Sequence, residues 1–220
     1  GHGIFADDQC GLAHSRLAIV DVAGSPQPIY GPGKVGIVNG EIYNHLSLKN
    51  ESYGYTTNGD SEVVLSLHKG KGNAGEHAKW ISKLDGMFAF AIWSENQLIL
   101  ARDPVGIKPL MRTLVGDTLV FASEAKALRA HEDYVPAIDN LAMKVRIAWE
   151  YPLDGTTLFA DVHQVRPGTV EVWELVNGYP NMTSIAQFET QKVEPAISWD
   201  DPEGLLESFT LSVSDRLMAD

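Results

Sequence analysis

A chain of 220 residues can bury one substantial core, or one core plus the start of a second domain. With 17 Lys and Arg against 29 Asp and Glu, its formal net charge of −12 argues against a nucleic-acid backbone as the main partner. Cys10 is the single cysteine, which excludes an intrachain disulfide and makes a reducing, cytoplasmic setting the expectation. The longest apolar run, from Met87 to Trp93, is far too short to span a bilayer, so no membrane partner is expected.

In chain order, the first half consists of short β-type runs separated by Gly, Asn, Asp and Pro. Residues 11–21 alternate loosely and read as a strand, with Leu12, His14, Arg16 and Ala18 on one side. Residues 34–38 form a second apolar run that the turn dipeptide Asn39-Gly40 should stop. A short helix is predicted over 60–68, capped by Asp60 or Ser61, and another over 76–84 that ends at Gly86. Two hairpins follow, pairing 87–93 with 97–102 and 110–115 with 118–122. Helices are expected over 125–130 and 140–149, and a strand over 170–175 that closes at Asn177-Gly178. After Tyr179 the pattern loosens into a linker, and an amphipathic helix starts at Gly204. Hairpins with helices inserted in two groups predict an antiparallel α+β layered domain, not a βαβ fold.

Three clusters carry chemistry. Arg16 sits in an apolar segment, where a guanidinium is costly unless it meets an anion, either a ligand carboxylate or an internal partner such as Asp21 or Asp103. Asn39-Gly40-Glu41 offers a side-chain amide beside a glycine N–H, which suits an oxyanion, although the same dipeptide is a common turn. Asp60, at a helix start, suits either a plain cap or a substrate ammonium group. Together they describe a pocket for a free amino acid.

The segments Leu12-Ala13-His14-Ser15-Arg16-Leu17-Ala18-Ile19-Val20-Asp21, Val38-Asn39-Gly40-Glu41-Ile42-Tyr43-Asn44 and Asp60-Ser61-Glu62 closely resemble the class II glutamine amidotransferase domain of asparagine synthetases, an Ntn-hydrolase. The likeness continues through Leu84-Asp85-Gly86-Met87-Phe88-Ala89-Phe90-Ala91 and Ala101-Arg102-Asp103-Pro104-Val105-Gly106-Ile107-Lys108-Pro109-Leu110. It implies an αββα sandwich of mostly antiparallel sheets and a glutaminase that supplies ammonia for ATP-dependent amidation of aspartate. By resemblance, Arg16 with the backbone of Leu17, Ala18, Ile19 and Val20 would bind the glutamine carboxylate. Asn39 and Gly40 would form the oxyanion hole, and Glu41 and Asp60 would hold the α-amino group.

The family's nucleophile is an N-terminal cysteine, and no residue here matches it. The spacing from His2-Gly3-Ile4-Phe5 to Leu12 fits the strand ahead of the arginine segment, so the first strand, first helix and nucleophile are expected to be missing by truncation. Cys10 lacks the free α-amine and reads as a packing residue. The expected organisation is an amidotransferase domain over 1–180, a linker over 181–202 and the start of a synthetase domain over 203–220. The resemblance implies L-glutamine as ligand, no cofactor in this domain, and ATP with magnesium in the synthetase domain, which is its partner. It leaves a homodimer open. A second reading is a non-catalytic scaffold or glutamine-binding domain of the kind found in β-lactam-synthetase-like enzymes. Gly31-Pro32-Gly33-Lys34 lacks the spacing of a phosphate loop, and the clustered residues Arg102 and Asp103 read as a structural ion pair.

Overall fold

Apolar residues on both faces of the middle strands require a layer on each side of them, and the computed structural model shows this arrangement. It describes residues 1–17, 19–151, 155–189 and 200–217. The strands are β1 (His2–Ala6), β2 (Gly11–Ser15), β3 (Ile29–Gly31), β4 (Lys34–Ile42), β5 (Gly86–Ser94), β6 (Gln97–Arg102), β7 (Met111–Val115), β8 (Thr118–Ala122), β9 (His163–Gln164), β10 (Thr169–Val176) and β11 (Tyr179–Gln187). The helices are α1 (His45–Leu48), α2 (Glu62–Leu67), α3 (Ala74–Ile81), α4 (Ala125–Leu128), α5 (Asn140–Trp149) and α6 (Pro202–Ser214).

Six strands form the central sheet in the order β11-β10-β6-β5-β4-β3, antiparallel throughout. Its tight hairpins follow from their turn residues. Glu95 and Asn96 both take positive φ between β5 and β6, as do Asn177 and Gly178 between β10 and β11. On one face, Val38, Phe88, Phe90, Ile99 and Val172 pack against Val63 and Val64 of α2 and Ala78 and Ile81 of α3. On the other face, Ala89, Ala91, Leu98, Leu100 and Trp173 meet Leu12 of β2, Leu110 and Val165, with Leu119 and Phe121 of β8 packed alongside.

This second layer is built from two pieces, the β1–β2 hairpin and a three-stranded sheet ordered β8-β7-β9, and α4 packs on β8. The layered α+β sandwich of antiparallel sheets is therefore the fold the chain adopts. A cavity of about 1050 Å³ lies where the second layer is discontinuous, with β2 and β8 among its walls and Ile37, Ala89, Ala91 and Leu98 among its floor residues.

Several local expectations are corrected. Asn39-Gly40 does not turn: β4 runs through it to Ile42, because both residues have ladder partners on β5, Ala89 and Phe88. The strand expected over 11–21 stops at Ser15, so Arg16 leaves the sheet. The helix expected at 76 begins at Ala74, where Asn73 and Glu76 make a reciprocal capping box. The loosening expected after Tyr179 is instead β11, the edge strand beside β10, where the pairing of two strands outweighs weak alternation. Residues 190–199 of the expected linker lie outside the described residues.

Candidate functional site

The β4–β5 pairing determines which backbone groups of β4 are available to a ligand. Tyr43 N–H donates to the Asp85 carbonyl at 2.8 Å, and Glu41 and Asn39 lie two and four residues back, opposite Met87 and Ala89. The two-residue alternation of an antiparallel ladder therefore turns Asn39 and Glu41 toward β5, and Val38, Gly40 and Ile42 toward the other edge. On that edge Val38 N–H donates to Gln27 Oε1 at 2.7 Å, and Ile42 N–H donates to Asp60 Oδ2 at 2.8 Å. Gly40 N–H lies between these two satisfied donors and faces the same way.

Glycine is required at position 40. Its φ is +151°, and a Cβ there would run into the Met87 carbonyl oxygen. Beside it, Asn39 opens onto the interlayer cavity, and its Nδ2 donates to Ser123 Oγ at 3.3 Å across the two layers. A backbone N–H and a side-chain amide thus sit next to each other on one strand, which is the donor set an oxyanion needs.

The Asp60 carboxylate is 6% exposed and stitches the start of α2 to the end of β4. The expectation that Asp60 or Ser61 caps α2 is corrected: Ser61 makes no side-chain cap, and Asp60 serves a neighbouring strand. Buried Glu62 fixes the approach to Asp60 by accepting from Thr56 N–H at 2.9 Å and Thr57 N–H at 2.8 Å. Glu41 is half-buried. Burial pushes its carboxyl up, Lys108 opposes that, and Asp60 adds to it. Two carboxylates and one lysine therefore share this end of β4.

Arg16 follows β2 and closes its own loop, with Nη2 donating to the Val20 carbonyl at 2.6 Å and to the Asp21 carbonyl at 3.2 Å. Among the described residues no carboxylate pairs with it, so the internal ion pair with Asp21 or Asp103 considered from sequence is corrected to hydrogen bonds with backbone carbonyls. Asp21 joins that loop to the Asp60 approach by accepting from Asn58 N–H at 2.9 Å. Leu17 is 85% exposed, Ile19 and Val20 are half-buried, and Ala18 lies outside the described residues. The fold thus brings the Arg16 loop, the Asn39-Gly40-Glu41 stretch and Asp60 to one region through two specific bridges, Asp21 to Asn58 and Asp60 to Ile42.

Three expectations away from this region are settled by contacts. Arg102 donates to the carbonyls of Lys108 at 2.7 Å and Gly106 at 2.8 Å, and Asp103 accepts from Ile107 N–H at 2.9 Å and Lys108 N–H at 3.0 Å. The pair predicted from sequence is corrected to two separate clamps on the loop that carries Lys108. Cys10 has its thiol pushed up to about 12, by burial first and then by Asp7, which leaves negligible thiolate at neutral pH. Lys34, in the glycine-proline turn, donates to the Leu65 and His68 carbonyls at 2.7 and 2.6 Å, so it is not free to bind phosphate. Sequence reasoning missed Gln27, whose amide also donates to the Val38 carbonyl at 2.8 Å and seals the edge beside Gly40, and it missed Ser123. Neither position stands out by residue type or spacing.

The glutamine amidotransferase domain family matches residues 1–179. The chain belongs to the glutamine amidotransferase domain family. It is 39% identical over 175 residues to asparagine synthetase [glutamine-hydrolyzing] 1 of Bacillus subtilis, covering 76% of this chain and 27% of that protein. It is 42% identical over 134 residues to asparagine synthetase B [glutamine-hydrolyzing] of Escherichia coli, covering 57% of this chain and 23% of that one. The domain thus spans about a quarter of the length of these curated relatives, which by name are enzymes. Its fold matches glutamine phosphoribosylpyrophosphate amidotransferase of B. subtilis with a TM-score of 0.55 at 23% identity, covering 82% of this chain and 35% of that one.

Proposed function

We propose that this amidotransferase domain binds free L-glutamine at the Arg16–Asn39–Gly40–Glu41–Asp60 region and presents its side-chain amide for hydrolysis. The observation that carries this reading is the outward Gly40 N–H, set between Val38 and Ile42 donors that are already satisfied, with the Asn39 amide alongside it. Arg16 pairs with the substrate carboxylate, because among the described residues its guanidinium has only neutral carbonyl partners. Asp60 and Glu41 hold the α-ammonium. When a thiolate adds to the amide carbon, the new oxyanion takes its hydrogen bonds from Gly40 N–H and Asn39 Nδ2. The amide nitrogen then leaves as ammonia, and water releases glutamate from the thioester.

Cys10 does not supply that thiolate at neutral pH, because burial and then Asp7 push its thiol up to about 12. In the whole protein we further propose that the ammonia amidates aspartate in an ATP- and magnesium-dependent synthetase domain. The names of the asparagine synthetase relatives support this.

Titration calorimetry with glutamine, glutamate and asparagine tests the binding step. Saturable binding of glutamine that weakens at least tenfold in Arg16→Ala and in Asp60→Asn is the expected result. If folded protein binds no glutamine, or if both variants bind like the parent, the reading is wrong. Adding an N-terminal segment that begins with cysteine then separates hydrolysis from binding alone: release of ammonia from glutamine supports the first, and binding without release supports the second.

A further inference from the structure

The helix that presents Asp60 is anchored at its far end by a group the proposed chemistry does not use. His68 follows α2 and is 1% exposed, and neither ring nitrogen has a hydrogen-bond partner among the described residues. Its ring stacks on His77 of α3 with centroids 5.4 Å apart and planes 11° apart, and Trp80 stands edge-on to both.

His77 is fixed as a neutral ring. Its Nδ1 accepts from Trp80 Nε1 at 3.2 Å, so Nε2 carries the proton and donates to Gln97 Oε1 at 3.1 Å. Lys34 reaches in from β4 and donates to the carbonyls of Leu65 and His68 itself, which ties the C-terminus of α2 to the sheet. Other charged groups around this connection are Lys69, which acts on Lys34; Lys71, paired with Glu174 of β10 at 3.0 Å; Glu76 beside Gly72; and Glu95 beside Gly70. None of these carboxylates bonds to the His68 ring, so a proton on it would bring a buried, unpaired cation up against Lys34 and a neutral histidine.

We propose that His68 is an acid-sensitive latch: a proton can enter its ring only if the α2–α3 connection opens, and that opening releases the helix that holds Asp60. The latch rests on the proposed role of Asp60 for its functional meaning, but its physical test does not. Burial holds the His68 ring down to about 3, with Lys34 and His77 acting in the same direction. The sign follows from proton binding: the closed form binds fewer protons than the open one between the ordinary histidine value and that depressed one. The latch is therefore fully closed above roughly pH 6.5 and weakens as pH falls, by up to about tenfold in the opening constant per pH unit.

Hydrogen exchange of the intact chain, corrected for intrinsic rates, measures this directly at residues 62–74 between pH 8 and pH 5. The expected result is an opening constant that rises several-fold to tenfold per unit below about pH 6.5, with a flat profile in His68→Phe. An equal acid slope in His68→Phe, or no slope in the parent, overturns the proposal. Should His68→Phe fail to fold, nitrogen shifts of the His68 ring in the parent decide the matter. A ring that stays neutral in the closed form at pH 5 supports the latch, and one that titrates near 6.5 with α2 still protected defeats it. Absence of glutamine binding, or unaltered binding in Asp60→Asn, alongside the predicted exchange would count against the Asp60 reading and leave the latch standing.

Discussion

The two faces of the central sheet are built on opposite principles. The face toward α2 and α3 is filled: Phe88, Ile42, Leu65, Ile81 and Ile92 are all fully buried, and aromatic rings run from Trp80 through Phe90 and Phe88 to Phe188. The face toward the second layer carries small residues, Ala89 and Ala91, and opens into the 1050 Å³ cavity. One face supplies the rigidity and the other supplies room beside Asn39. The strand that carries Asn39 is thus clamped from behind, while its front combines a packed cluster with an open cavity.

Substitutions on each face can break or sharpen this contrast. The largest effect is expected from Phe88→Ala, which removes a fully buried ring from the filled face and should cost about 3–5 kcal/mol in urea unfolding. A loss under about 1 kcal/mol would show that this face is no better packed than the other. Close behind is Arg112→Met in the second layer. Arg112 pairs with Glu171 at 2.6 Å, and because the Glu171 side chain is only 2% exposed, its loss strands a buried charge. That should cost roughly 3 kcal/mol. A loss under about 1 kcal/mol would assign the effect to packing on Trp173, whose ring lies under the guanidinium.

Asn73→Ala tests the helical cover of the filled face. It removes the cap of α3 and should lower stability by about 1 kcal/mol, read as a shift in the urea midpoint without a change in slope. The smallest effect belongs to the open face, where Ala91→Leu adds volume that the cavity can accept and should change stability by less than about 1 kcal/mol. The matched change on the filled side, Gly36→Ala, sets a Cβ 2.9 Å from Leu65 Cδ1 and 3.1 Å from the Ala91 carbonyl oxygen. It should cost more than Ala91→Leu, and the reverse order would contradict the assignment of the two faces.

Much of the fold was legible in the residues. The hairpin of 87–93 with 97–102 was located, and the helix over 140–149 was read to the residue, because these signals act through the local backbone; Asn177-Gly178 marked the end of a strand but not the β11 that follows it. Asn39-Gly40 misled for the same reason. The dipeptide favours a turn when it is free, but here β5 pairs with it and keeps it extended. Asp60 misled in a related way, since a cap is a local role and its real partner, Ile42 N–H, lies 18 residues back.

The sequence by itself determined which side chains could bind an amino acid and what family they belong to, since Arg16, Asn39, Gly40, Glu41 and Asp60 occur in recognisable ordered segments. Only the tertiary structure decided that Gly40 N–H faces away from β5, that Gln27 and Asp60 occupy its neighbours, and that partial burial pushes the Cys10 thiol up to about 12. Which backbone groups face a neighbour, and which thiol loses its solvent, depend on strands paired across long stretches of chain, and no local pattern encodes that.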